Sequence, residues 1–398
     1  MTDGTLSQDI GSPRVLYMAL ELSASTWLIS FSDGGARSPR RKRLDAGDLA
    51  GLEGELGRAK LKFGLSPDAP TVSCYEAGRD GFWIHRALSE RGVTNHVVES
   101  ASIEVPRHAR RAKTDSLDVA ALLRLLIRFD RGDHNVWRTV CVPTEADEDA
   151  RRLHRERERL KKEVTQLRNR IFGLLATEGL KIEPDELKAF LGQPMCSRDG
   201  RPLGQGLLQE LSRMEARLEL LRQQQQTLEK EQHKALRNGQ AEDERMKKVA
   251  RLMCLCGIGI QGAWILVMEF FGWRKFRNRR EVGALAGLTG TPFNSGASVR
   301  DQGISKAGNK RVRRLMVELA WLWVRHQPNS SLTKWFLDRW GNHGVRSKKG
   351  GIVALARKLL IALWNFLERG SLPPGTTLSP SKGVAAATLS ALPGAVAA

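Results

Sequence analysis

The segment Arg110-Arg-Ala-Lys-Thr-Asp-Ser-Leu-Asp118 sets two carboxylates three residues apart, after a basic run and at the head of an apolar helical pattern. Two readings stand side by side. In one, Thr114 is a helix N-cap and Asp115 a first-turn acid, which suits the unpaired amides and the helix dipole. In the other, Asp115 and Asp118 share a helix face and form half of a cation site. Two further acids close strands: Glu21 ends an apolar run from Val15, and Glu76 follows Thr71-Val-Ser-Cys-Tyr75. Sites in open α/β sheets lie beyond the strand ends, so Glu21, Glu76, Asp115 and Asp118 are expected to converge. Ionised carboxylates about 4 Å apart repel by roughly 4 kcal/mol at an effective dielectric near 20. Mg²⁺ removes that cost, takes oxygen ligands and binds phosphate alongside carboxylate, and Mn²⁺ is its natural substitute. Two such ions can activate an attacking oxygen and stabilise a leaving one. Arg107, Arg110, Arg111 and Lys113 would then hold the phosphate backbone that has to reach the metal.

The bulk composition agrees with such a substrate. The chain has 398 residues, 64 Lys plus Arg against 44 Asp plus Glu, and a formal charge of +20. That balance calls for a polyanionic partner, nucleic acid before membrane. Five scattered cysteines read as reduced thiols rather than a disulfide framework, and Cys254-x-Cys256 lacks the second pair of a zinc site. No apolar run reaches about 18 residues, so no membrane span is expected. The first residues lack the apolar core of a signal peptide. The expectation is a cytoplasmic, nucleoid-associated bacterial protein that handles DNA or RNA.

The elements that must position the acids follow from periodicity. Residues 14–144 read as three strands (15–21, 26–31, 40–44), a helix over 46–63, a strand at 71–75, a helix over 80–91, a strand at 94–98 and the Asp115 helix. Alternating strands and helices predict an α/β sheet covered on both faces. From residue 145 the pattern changes. Leu153, Leu160, Leu167 and Leu174 recur every seven residues, with Val164 and Ile171 between them, which predicts a coiled-coil helix. Residues 180–202 carry Pro and Gly, and Leu211, Met214, Leu218, Leu221 and Leu228 resume the spacing. This helical region, 145–244, fits either an antiparallel pair within one chain or a coil between copies that makes a dimer or tetramer.

Residues 245–370 read as a mostly helical domain, with helices over 312–324 and 351–367. Gly257 and Gly259 resemble the turn of a helix-hairpin-helix, where backbone amides approach a phosphate; a tight turn without a ligand is the alternative. Residues 273–314 carry eleven basic residues against Glu281 and Asp301. Arg274, Lys275, Arg277, Arg279 and Arg280 form one basic group. Lys306, Lys310, Arg311, Arg313 and Arg314 form another, either phosphate contacts or a solvated helix face. Trp321, Trp323, Trp335, Trp340 and Trp364 read as core or interface aromatics. Residues 371–398 have the composition of a disordered tail.

The strand–helix order with acids at these ends resembles the ribonuclease-H-like fold of RuvC-like Holliday-junction resolvases. Four longer stretches sharpen the likeness: CYEAGRDGFWIHRAL, SIEVPRHARRAKTDSLDVAALL, FRNRREVGALAGLTGTPFNSGAS and DQGISKAGNKRVRRLMVELAWLW. Together, over about Arg14 to Leu372, they resemble the DEDD insertion-sequence transposases, the one-ten family of RNA-guided recombinases. The resemblance implies a RuvC-like N-terminal domain, a coiled coil and a C-terminal transposase domain. It implies an acid tetrad at Glu21, Glu76, Asp115 and Asp118, a nucleophilic serine at Ser295 in Asn294-Ser295-Gly296, and a structured guide RNA as partner beside DNA. Ser298 is the nearby substitute. The first acid of that family is normally aspartate, whereas this chain has Leu20-Glu21, so its rate is expected to be slowed, re-tuned or lost. Two other readings compete: a metal-dependent junction endonuclease that uses the acids and water alone, and a catalytically impaired nucleic-acid-binding relative.

Overall fold

The computed structural model describes residues 14–104, 115–183, 185–193, 196–239, 242–295 and 298–379, without the side chains of 115–116, 292–295 and 298–302. The chain divides into two compact units between Val142 and Pro143.

The N-terminal unit is built on β1 (Leu16–Leu22), β2 (Thr26–Ser32), β3 (Arg40–Asp45), α1 (Leu49–Phe63), β4 (Thr71–Glu76), α2 (Trp83–Glu90), β5 (Val93–Val98) and α3 (Asp115–Asp130). The strand order is β3-β2-β1-β4-β5. β1, β4 and β5 run parallel, and β2 and β3 continue the sheet antiparallel. Central β1 reads LYMALEL with its first five residues buried, as a strand covered on both faces must. Successive side chains point to opposite faces. Met18, Leu20, Ile29 and Tyr75 pack with Leu52 and Phe63 of α1 and Ile84 and Leu88 of α2. Tyr17, Ala19, Val72 and Cys74 pack on the other face against Val119, Leu122, Leu123 and Leu126 of α3. α1 starts at Leu49, later than the expected residue 46, because the Asp48 side chain accepts from Gly51 N at 2.8 Å and fixes the first turn there. Buried Glu55 on α1 is neutralised by Arg58, at 2.8 Å, and by Arg40.

The C-terminal unit begins with α4 (Glu145–Asp149), closed by a Thr144–Asp147 capping box, then α5 (Arg152–Thr177), α6 (Leu187–Leu191) and α7 (Gln205–Gly239). α5 and α7 pair antiparallel within the chain: Arg157 bonds Glu229 at 2.7 Å, while Leu167 faces Arg217 and Leu221. Leu160, Leu167, Ile171 and Leu175 meet Leu211, Met214, Leu218 and Leu221 in a common core. The heptad reading slips at both ends, where His154 and Leu175 are buried in place of Leu153 and Leu174. A straight helix of 3.6 residues per turn drifts off a seven-residue repeat by about 20° per heptad.

The rest comprises α8 (Glu244–Met253), α9 (Ile260–Leu266), a π-helical turn at Val267–Phe271, α10 (Arg279–Leu285), the hairpin β6 (Gly290–Ser295) and β7 (Ser298–Ile304), α11 (Lys310–His326), α12 (Ser331–Trp340) and α13 (Val345–Arg369). α13 is long and apolar enough to cross a membrane by length and composition. Its apolar face instead forms the core, with Ile352, Leu355, Leu359, Leu363 and Phe366 all buried. One sequence expectation, the disordered tail, is corrected here, and two points are added to the sequence reading. The helix pair falls in the same compact unit as the C-terminal helices. Residues 290–304, unassigned by periodicity, form a hairpin. Residues 371–379 of the expected tail are docked: Gln327 exchanges hydrogen bonds with the Thr377 backbone at 2.7 and 2.8 Å, and Ser379 N donates to Cys254 O. Composition registers polarity but cannot register those backbone partners. Residues 380–398 lie outside the described residues. All five cysteines are free, with Cys74 and Cys254 buried.

Candidate functional site

The register of β1 and β4 decides whether the first two acids can meet. Leu20 pairs with Tyr75 in parallel, so Glu21 and Glu76 are the next residues on neighbouring strands, which lie about 4.8 Å apart. Both share the face of Ala19 and Cys74, the face covered by α3. α3 runs antiparallel to β1. At its C-terminal end Tyr17 Oη donates to Asp130 Oδ2 at 2.7 Å, beside the start of β1. Midway, Cys74 Sγ donates to Leu122 O at 3.9 Å. Asp118 is one helical turn, about 6 Å, beyond Leu122. Glu76 is two strand residues, about 6.6 Å, beyond Cys74. Asp118 therefore arrives at the level of Glu76, on the same face and at the same sheet end. Glu76 is exposed, and Glu21 and Asp118 are half-buried. Asp115, one turn earlier, begins the helix.

These carboxylates offer hard oxygen donors of the kind that Mg²⁺ takes, from two strands and a helix at one edge. Among the described residues, which include the Glu21, Glu76 and Asp118 side chains, no three His, Cys, Asp or Glu form a group that could hold a metal ion. The fourth acid, Asp115, has its side chain outside the described set, as does the Thr114 cap of the alternative reading. Arg107, Arg110, Arg111 and Lys113 also lie outside the described residues.

In the C-terminal unit, Ser295 and Ser298 face each other as the last pair of the β6–β7 ladder. Sequence reasoning placed a basic helix face beside them, and the structure divides it. Arg311 and Arg314 are drawn to Glu158 of α5, at 2.7 and 2.8 Å. Burial raises the Glu158 pKa, but the two guanidiniums outweigh it and hold the carboxyl below its ordinary value. Arg313 donates to Ala286 O at 3.3 Å, and Lys310 is exposed. Arg274 lies over the Trp273 ring at 4.3 Å, while Lys275 and Arg277 are exposed. Arg279, Arg280 and Lys306 line a cleft of about 980 Å³ between α10, the foot of the hairpin and α13. The sequence reading missed Arg357 and Lys358, which line the same cleft. The available signal was a pair of adjacent cations in the otherwise uncharged stretch 350–367 of that helix.

The glycine turn is only partly open. Gly257 has φ +91°, and a Cβ there would come within 3.3 Å of the His326 Cβ and 3.4 Å of Leu322 O. α11 therefore covers this side, and close packing alone accounts for the glycine. Nothing lies within 4 Å of a Cβ at Gly259, which caps α9. Beyond α9, Glu269 in the π-helical turn is 1% exposed. It accepts from Arg155 at 2.7 and 2.9 Å and from Asn309 at 3.2 Å, and His154 Nε2 lies 2.9 Å away. Burial pushes its pKa up, yet the His154 and Arg155 hydrogen bonds and the Arg155 charge hold it far below the carboxylate range.

Comparison with known proteins bears on both units. Residues 249–334 match the model of a family described as "Transposase IS116/IS110/IS902 family". Over 383 residues, 93% of this chain and 95% of the relative, the sequence is 40% identical to "Putative transposase y4rJ" of Sinorhizobium fredii. It is 24% identical to the transposase for insertion sequence element IS1328 of Yersinia enterocolitica, over 90% of this chain and 98% of that one. It is 26% identical to the transposase for insertion sequence element IS1533 of Leptospira borgpetersenii, over 77% of this chain and 85% of that one.

Proposed function

The chain belongs to the IS116/IS110/IS902 transposase family, and from that premise we propose that it cuts and rejoins DNA through Ser295, with a metal-binding carboxylate edge in a ribonuclease-H-like domain. The observation that carries this reading is the common level and face of Glu21, Glu76 and Asp118 at one end of the sheet. With Asp115, they would hold Mg²⁺ or Mn²⁺. Bound there, the ion supplies positive charge against which a phosphodiester can be positioned and negative charge can build. The longer Glu21 side chain still brings two oxygens to that edge.

The chemistry at Ser295 is a transesterification. Its Oγ forms a bond to the DNA phosphorus as the bond from phosphorus to one strand oxygen breaks. That strand leaves as a hydroxyl, taking up a proton, and the serine proton is lost to water. The phosphoserine link keeps the ester energy for rejoining, which suits recombination better than hydrolysis. Target choice by a structured guide RNA, and assembly of two or four copies, complete the proposal by resemblance.

A second reading, an endonuclease in which water attacks at the carboxylate edge, is favoured by one fact: Ser295 and that edge belong to different compact units. Denaturing electrophoresis of the protein incubated with labelled element DNA, Mg²⁺ and the RNA encoded beside its gene separates the two. A covalent protein–DNA band that disappears in Ser295→Ala and persists in Ser298→Ala supports the recombinase. Cleavage without any adduct, unchanged in Ser295→Ala, supports the nuclease.

A further inference from the structure

We infer that the cleft between α10, the foot of the β6–β7 hairpin and α13 is a phosphodiester site that seats a single nucleic-acid strand, with Arg357 and Lys358 as its principal contacts. The inference deepens the reading of the chain as a nucleic-acid enzyme and rests on it.

Four observations meet in this cleft. First, its lining carries Arg279, Arg280, Lys306, Arg357 and Lys358, and among the described residues no acidic side chain. Elsewhere in the same unit basic groups meet acids, as Arg311 and Arg314 do at Glu158. A concave wall of one sign, backed by apolar residues, focuses its field on an anion. Second, Arg357 is half-buried and Lys358 exposed, on the face of α13 that its buried stripe of Leu355, Ala356, Leu359 and Leu360 leaves open, so both cations are presented towards the cleft.

Third, the local backbone makes room for them. A Cβ at Gly283 of α10 would stand 3.0 Å from Arg357 Nε and 3.5 Å from Thr289 Oγ1. Among the described residues that buried threonine hydroxyl has no hydrogen-bond partner. Lys358 Nζ sits 4.5 Å from the centre of the Trp335 ring, which also takes Arg339 at 5.3 Å. Trp335 thus anchors cations and is not a platform for a base. Fourth, Lys306 has φ +56°, the one non-glycine residue with positive φ among the described residues. It is held there by Ser305 N to Thr289 O at 2.8 Å and Lys306 N to Gly287 O at 3.2 Å. A cation kept in a left-handed conformation at the rim is easier to understand as a binding group than as a fold element.

Size and position select the ligand. A volume of about 980 Å³ is at the upper end for small-ligand pockets and does not admit a whole duplex. Five cations, with no acid among the described lining residues, exceed the needs of a single carboxylate and suit consecutive phosphates. Gly290 and Gly303, at the feet of the hairpin strands, form part of the wall. A strand seated here therefore leads towards the hairpin whose last pair is Ser295 and Ser298.

The test is fluorescence anisotropy with the full chain in the absence of divalent ions. The probes are labelled oligothymidylate and oligouridylate, titrated over a range of salt. Arg357→Gln/Lys358→Gln is expected to weaken binding at least about tenfold. It should also flatten the plot of log affinity against log salt by about 0.7 for each contact removed. Lys306→Gly, which relaxes its own backbone, is expected to flatten the slope by about 0.7 while melting no lower than the parent chain. Loss with the DNA probe assigns the cleft to DNA, and loss with the RNA probe assigns it to RNA. Unchanged affinity and slope for both probes, in variants that melt like the parent, overturn the inference. Should the double variant not fold, Lys306→Gly alone decides by the same criteria. Because no cleavage is measured, absence of a Ser295 adduct would remove the transposition chemistry and leave this binding result standing.

Discussion

Glu269 and Glu76 are the same residue type used in opposite ways. Glu269 is sealed in the C-terminal unit and surrounded by His154, Arg155 and Asn309, so its charge is consumed in joining α5, the π-helical turn and the start of α11. Glu76 stands exposed at a strand end of the N-terminal unit, and among the described residues no ion pair involves it. Asp118 is placed alike, at the open end of the same sheet. A carboxylate that holds a fold together is neutralised on every side. The carboxylates proposed to hold a ligand stand at an edge, Glu76 exposed and Asp118 half-buried. The distinction separates groups by purpose before any chemistry is assigned, and it can be broken at either end.

The largest expected effect is at the sealed end. Glu269→Ala leaves Arg155 without its counter-charge and His154 without its hydrogen-bond partner, and breaking a buried pair from one side costs about 3–5 kcal/mol. Urea unfolding of the C-terminal unit should record that loss; a change below about 1 kcal/mol would put Glu269 in the presented class. The same group sets a pH dependence. Its folded pKa is far below the ordinary 4.5, so on acidification the unfolded carboxyl takes up a proton while the folded one still resists. The stability it contributes is therefore full above about pH 4.5 and is lost as pH falls from there towards the folded value. Glu269→Gln should flatten the acid limb of the urea midpoint against pH. Glu158 and Glu55, which are also held below their ordinary values, supply the residual slope.

At the presented end, the ranking reverses. Glu76→Gln and Asp118→Asn should lower Mg²⁺-dependent strand cleavage by at least about 100-fold, as much as outer-shell groups of metal sites are worth. Stability should stay within about 0.5 kcal/mol, as for other surface substitutions. Cleavage at the parental rate in both variants would remove the carboxylate edge from the reaction.

How far these roles could be read from sequence differs by unit. The strand ends at Glu21 and Glu76 were legible because apolar runs locate strands and the acids interrupt them. Their shared face follows from the period of two, once the pairing is known. Glu269 was overlooked. It sits in Val267-Met-Glu-Phe-Phe271, among residues that are all buried, and its partners come from more than 100 positions earlier and 40 later. Lone charges in apolar helices were the overlooked signal, and they mark Glu269 and the Arg357–Lys358 pair equally. Which of the two is sealed and which is presented depends on packing between α5, α10, α11 and α13. No local pattern encodes that.

The smallest effect is the sharpest test of the distinction. Lys306 presents a charge from a backbone conformation that costs an L-residue about 1–2 kcal/mol. Glycine adopts that conformation freely and loses some of the gain through a more mobile unfolded chain. Lys306→Gly should therefore raise the stability of the C-terminal unit by a net amount of about 0.5–1 kcal/mol, detectable as a small upward shift in melting temperature. Lys306→Ala removes the same charge but keeps the strain, so its melting temperature should stay with the parent. A sealed charge cannot behave this way, since its removal always weakens the fold. If Lys306→Gly instead melted well below the parent, the lysine head would be a structural group, and the boundary between the two classes would have to be redrawn through the cleft itself.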